Sequence, residues 1–202
     1  MKIESERLFG IPYAICRIDP WSYNKKEIVK DIEANYLKNP IRNNWRPKNY
    51  NIHHAYRDWD NPDYIKSDYS RLIEAYKKIM YPCLESCGVK ENCKWKFEIT
   101  NYNCVGEGGF MVPHNHCLKD FVGIHYIKFD SKQHESTSYV NEHPFANYSD
   151  SIFPQRRNLM HHNVNTSFYE ESWQLPVKED DFCMTPGFLR HELPVQPKCN
   201  KL

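Results

Sequence analysis

The stretch Met111-Val112-Pro113-His114-Asn115-His116, continuing through Phe121-Val122-Gly123-Ile124-His125-Tyr126-Ile127, decides how this chain is read. It sets two histidines two residues apart, just ahead of an apolar run that reads as a buried strand. In extended backbone, residues i and i+2 point to the same face, so His114 and His116 can aim at one centre. Imidazole nitrogens are borderline ligands that suit Fe, Zn, Cu and Ni. A third ligand has to come from elsewhere, and the best candidate is His191, which follows the turn Thr185-Pro186-Gly187. Three protein ligands leave coordination positions open, as a catalytic metal needs and a structural one lacks. A His-x-His pair alone is moderate evidence at best, since such pairs also arise by chance. Its place after a Gly-rich turn and before a strand, with a third histidine late in the domain, strengthens it.

The 202 residues fit one domain. A helical and loop-rich part over 1–93 is expected to pack on a β core over 94–202. Lys+Arg 27 against Asp+Glu 26 gives a net charge of +1, so no single-sign field favours nucleic acid or an anionic membrane. Aromatics at 14% and hydrophobics at 40% argue against disorder. No apolar run approaches the roughly 20 residues needed to cross a bilayer. The opening Met1-Lys2-Ile3-Glu4-Ser5-Glu6-Arg7 has no apolar signal-peptide core, which leads us to expect a cytoplasmic protein without a membrane partner. The eight cysteines contain no CxxC pair, so free buried thiols are expected rather than a structural zinc site. Cys117, next to His116, alternates to the opposite face and is not expected to ligate.

Local patterns place the elements. Leu8 to Ile15 reads as an edge strand interrupted by Gly10 and Pro12. Ile28, Ile32 and Tyr36 repeat every four residues, which predicts a helix over 24–37 stopped at Asn39-Pro40. A second helix runs from a Ser67 or Asp68 cap through Cys87 and ends at Gly88. Trp95, Phe97 and Ile99 alternate with charged residues, the pattern of a half-buried strand. Further strands are expected over 123–129, 137–140, 172–177 and 181–185. The polar stretch from His143 to Asn165, with Phe145, Tyr148, Phe153, Arg156 and Arg157, reads as a loop suited to cover a substrate. Helices ahead of short strands make the class α+β, with a β-barrel or sandwich core.

Two segments carry a family resemblance. Pro113-His114-Asn115-His116-Cys117-Leu118-Lys119-Asp120-Phe121-Val122-Gly123-Ile124-His125-Tyr126-Ile127 resembles the HxHPxSxxSGVYYL segment of a group of 2-oxoglutarate/Fe(II)-dependent oxygenases. Val177 to Pro194 is similar to that group's P-x-x-G-x-L-V-L-F-P-S-W-L-x-H-x-V-x-P. The resemblance implies a double-stranded β-helix, a jelly-roll barrel holding one Fe(II). It implies His114, His116 and His191 as ligands, although the wider superfamily usually has a carboxylate at the second position, for which Asp120 is the nearby substitute. Tyr126 matches a tyrosine that donates to the distal carboxylate of 2-oxoglutarate, and Asn103 matches a side-chain amide serving the same cosubstrate. The group's last strand carries an Arg for that carboxylate. In this sequence Lys201 is the late cation in a comparable place, as in collagen prolyl hydroxylases, and the β core would lack its last strand. Arg190 alternates away from His191 and should face outward. Cys117 replaces the group's Pro, Val122 its Ser and His125 its first Tyr. The implied reaction couples oxidative decarboxylation of 2-oxoglutarate by O₂ to oxidation, typically hydroxylation, of a small-molecule or peptide C–H bond.

Two other classes compete. A cupin-like three-histidine enzyme keeps the barrel and metal without 2-oxoglutarate, and His116 together with the missing Arg favours it. A metal-free β-sandwich binding or viral structural module would use the histidines only for packing. The letters H-N-H do not make a nuclease, because that fold requires further ligands this spacing does not supply.

Overall fold

In a computed structural model, residues 11–38, 53–54, 62–86, 88–90, 93–142 and 172–198 are described. The elements are β1 (Ala14–Arg17), α1 (Lys25–Lys38), β2 (His53–His54), α2 (Ser70–Ser86), β3 (Asn103–Cys104), β4 (Met111–His114), β5 (Phe121–His125), β6 (Ser138–Val140), β7 (Ser172–Gln174), β8 (Asp181–Pro186) and β9 (His191–Leu193). This is an α+β protein, as expected. Its strands pair antiparallel in the orders β1-β8-β5, β2-β3 and β4-β9-β6-β7.

Strand β8 is the hinge of the architecture, because every one of its residues is buried. A strand alternates its side chains between two faces, so burial throughout requires cover on both. On one face Phe182 and Met184 join Ile18, Tyr23, Ile28, Leu72, Ala75 and Leu84, which places α1 and α2 over the β1-β8-β5 sheet. On the other face Cys183 joins Tyr139, Leu175 and Val177, so the β4-β9-β6-β7 sheet covers that side. Burying apolar surface on both sides, at about 25 cal/mol per Å², ties three layers to one short strand.

Helix α1 begins one residue later than its pattern predicts and buries Ile28 fully. It also buries Asn35, which the sequence reading passed over. Its amide mimics a strand partner, accepting from Ile65 N at 2.8 Å and donating to Ile65 O at 3.0 Å. The Asp68 carboxylate caps α2 by accepting from Ser70 N at 2.9 Å. Gly88, with φ of 85°, takes the left-handed conformation that ends the helix, and Val89 N donates to Leu84 O.

Some expectations need correction. Trp95, Phe97 and Ile99 alternate inward as predicted, but residues 93–100 form no ladder. Side-chain packing holds that segment instead, with Trp95 on Phe121 and Phe97 on Tyr81. The strand expected over 123–129 runs from Phe121 to His125, so Tyr126 lies just beyond it. Strand β1 is at a sheet edge as expected but begins at Ala14. The segments over 172–177 and 181–185 join different sheets. The loop over 143–165 and Lys201 lie outside the described residues.

Candidate metal centre

His114 closes β4, His191 opens β9, and the two are direct cross-strand partners. Opposite residues of an antiparallel pair share a face, so both rings stand on the same side, with centroids 4.5 Å apart. His116 lies outside any strand, in the turn after β4. His114 and His116 nonetheless converge as their spacing predicts, with ring centroids 5.2 Å apart. Its backbone is also tied down: His116 N donates to Gly187 O at 2.7 Å, and Gly187 N donates to Asp120 O at 2.9 Å. These bonds lock the turn that follows β4 to the turn between β8 and β9. A Cβ on residue 187 would collide with Lys119 O and come within 2.8 Å of His116 O. Only glycine permits that approach.

The result is a convergent set. His116 lies 5.2 Å from both other rings by centroid, and one ligand atom from each of the three histidines falls within 4.8 Å of the others. The donor set suits a metal. His114 Nδ1 bonds Val112 O at 3.0 Å, and His191 Nδ1 bonds Leu189 O at 3.1 Å. A carbonyl only accepts, so each Nδ1 carries the proton and each Nε2 carries the lone pair. Metal-ligating histidines are oriented by such outer bonds. Burial lowers the pKa of all three, that of His191 to about 4; repulsion from His114 and Lys119 adds to the effect at His116. They are thus neutral imidazoles at pH 7, ready to ligate without losing a proton. Nitrogens around one ion at about 2.1 Å sit roughly 3 Å apart, so the three rings would draw closer on binding one.

The other sequence candidates take different places. Asp120 is exposed and stands outside the three-histidine group, so the group able to hold a metal ion is all imidazole. Cys117 is exposed and donates to Asn115 Oδ1 at 3.0 Å, in keeping with its expected outward direction. Arg190 faces outward to Glu142 at 3.0 Å. Asn103 is exposed in the separate β2-β3 ladder, where its Oδ1 accepts from Asn101. Tyr126 packs into the inter-sheet core, its hydroxyl oxygen accepting from Thr137 N at 3.1 Å, and burial raises its pKa to about 12.

The sequence reading missed Tyr139. It is the cross-strand partner of His191 on the side opposite His114, and the two ring centroids are 5.7 Å apart. Its hydroxyl meets Cys183 Sγ at 3.2 Å across the sheets and also bonds Thr185. A three-residue strand gives too little periodicity to single out such a residue.

Fold and site together define an α+β protein with a three-histidine group able to hold a metal ion. No protein-family model matches the chain, and none of the curated proteins matches its sequence. Among the described residues no helix is long and apolar enough to cross a membrane.

Proposed function

We propose that this chain is an Fe(II)-dependent dioxygenase of the double-stranded β-helix type that uses 2-oxoglutarate to oxidise a substrate C–H bond. The observation that carries the reading is the convergence of His114, His116 and His191, two of them with Nδ1–H fixed on backbone carbonyls. Iron in such a site supplies the redox chemistry with O₂ that no side chain can. The protein contributes ligands held in one tautomer on two adjoining strands and the turn locked to them. Tyr126, kept protonated by burial and already accepting from Thr137 N, retains its own hydroxyl proton for an anionic cosubstrate. The stacked antiparallel sheets are compatible with a β-sandwich, the two-sheet layering from which a jelly roll is built.

The all-imidazole ligand set favours a second reading, a three-histidine metalloenzyme that acts without 2-oxoglutarate. Succinate formation from 2-oxoglutarate, dependent on Fe(II) and O₂ and with His191→Ala as control, separates the two. Turnover in the wild type alone supports the first reading. Fe(II) binding without 2-oxoglutarate binding leaves the second, and no Fe(II) binding removes both.

A further inference from the structure

We propose that Tyr139 and Cys183 form a self-modifying pair, in which Cys183 Sγ becomes bonded to a Tyr139 ring carbon beside its hydroxyl. The proposal rests on the metal-dependent oxygenase reading, since the modification needs a redox-active ion at the three histidines and O₂ as oxidant.

Three observations meet at this pair. The first is contact: the phenol oxygen and the thiol sulfur are 3.2 Å apart, and the ring carbon in question is the neighbour of the carbon bearing that oxygen. The second is confinement. Cys183 is fully buried in β8, the middle strand of its sheet, and Tyr139 is 7% exposed in β6, which is flanked by β9 and β7. Neither group is placed to exchange its partner for water or a soluble thiol. The third is proximity to the candidate metal. Tyr139 lies opposite His191 in the β6-β9 register, on the face that carries His114 and His191, with its ring 5.7 Å from the His191 ring. Phenol and thiol are among the most readily oxidised side chains, and here they touch each other beside a site suited to an oxidising metal.

The step balances. Tyr139 loses one ring hydrogen and Cys183 loses its thiol hydrogen, and a C–S bond forms. The pair is oxidised by two electrons, which pass with the two protons to O₂, giving one hydrogen peroxide per linked chain. The product is a thioether staple between the two stacked sheets, with the Tyr139 hydroxyl retained.

The test uses the full chain, freed of metal, loaded with Fe(II) without oxygen, and assayed for bound iron before air is admitted. After exposure the protein is treated with a phosphine to open any disulfide, and its intact mass and peptide map are measured. The expected result is a loss of two hydrogens in the wild type, with a branched peptide joining Tyr139 to Cys183. Zn(II)-loaded protein, His191→Ala, Tyr139→Phe and Cys183→Ala should all keep their full mass. An iron-loaded wild type that stays unlinked, or gains oxygen on Cys183 instead, overturns the proposal and leaves the oxygenase reading standing. Equal linking in His191→Ala also overturns it, because the metal would then play no part. Failure to bind iron at the first step removes the oxygenase reading and the modification together. The decisive readout is made on the wild type, so a variant that fails to fold does not blunt it.

Discussion

His191 and His125 are both buried histidines at strand ends, and they teach opposite lessons. His191 is 6% exposed and the His125 side chain 3% exposed. Desolvation lowers both pKa values, to about 4 and about 3. Burial alone therefore does not distinguish them; their partners do. His191 donates Nδ1–H to a backbone carbonyl and offers a ligand atom within 4.8 Å of one from each of two other imidazoles. His125 shares its Nδ1 with the Tyr76 hydroxyl at 2.9 Å, between the rings of Tyr23 and Tyr76. Among the described residues its Nε2 has no hydrogen-bond partner, and it lies 3.9 Å from Asp180 Oδ1, an oxygen already bonded by Tyr23 and Lys25. One environment presents an imidazole able to bind a metal ion. The other is a neutral ring walled into the layer between helices and sheet.

The most severe way to break this comparison is to remove each ring in turn. His191→Ala should weaken Fe(II) or Zn(II) binding more than about 100-fold, since it deletes a ligand rather than an outer-shell bond. His125→Ala should leave affinity within a few-fold but cost about 2–4 kcal/mol of stability, as for other buried rings cut to a methyl. Titration with metal and urea unfolding read the two effects. If His125→Ala abolished metal binding in folded protein, the separation of roles would be wrong.

Gly187→Ala comes next. The added methyl meets the Lys119 carbonyl, so the two ligand-bearing turns must part. We expect a loss of about 1–3 kcal/mol and strongly reduced metal affinity, although no ligand is touched. A variant with wild-type affinity would show that His116 does not depend on the Gly187 contact.

Acid sharpens the comparison more gently. The folded-state pKa of His125, about 3, lies below its ordinary value of 6.5. The unfolded chain thus takes up the proton first as pH falls. Stability from the neutral ring is complete above about 6.5 and declines between about 6.5 and 3, by at most roughly 1.4 kcal/mol per pH unit. His191 adds a decline of the same sign in metal-free protein. Unfolding midpoints of the wild type and His125→Gln should therefore converge as pH drops, and parallel curves would count against a buried neutral His125. The smallest effect belongs to Arg190→Ala. It removes an exposed ion pair with Glu142 and should change stability by less than about 1 kcal/mol, with metal binding unchanged.

The two helices were legible because their signals are local: a four-residue apolar repeat, a capping carboxylate at Asp68, and a left-handed stop at Gly88. The ligand histidines were legible by residue type and spacing. The reason they converge was not. Extended alternation was the argument for His114 and His116, and it could not show that His116 N is held by Gly187 O, 71 positions along the chain. Trp95, Phe97 and Ile99 show the same limit, since alternation reports which side is buried and not whether a ladder forms.

By itself, then, the sequence determined the α+β class, the helix limits and three imidazoles able to share a metal, all consequences of short-range periodicity and side-chain chemistry. Tertiary structure alone decided that β8 is covered on both faces, that Asp120 stays outside the three-histidine group, and that Tyr139 and Cys183 touch beside His191. Those outcomes depend on which strands become neighbours, and strand pairing is set by burial summed over distant segments, which no local pattern encodes.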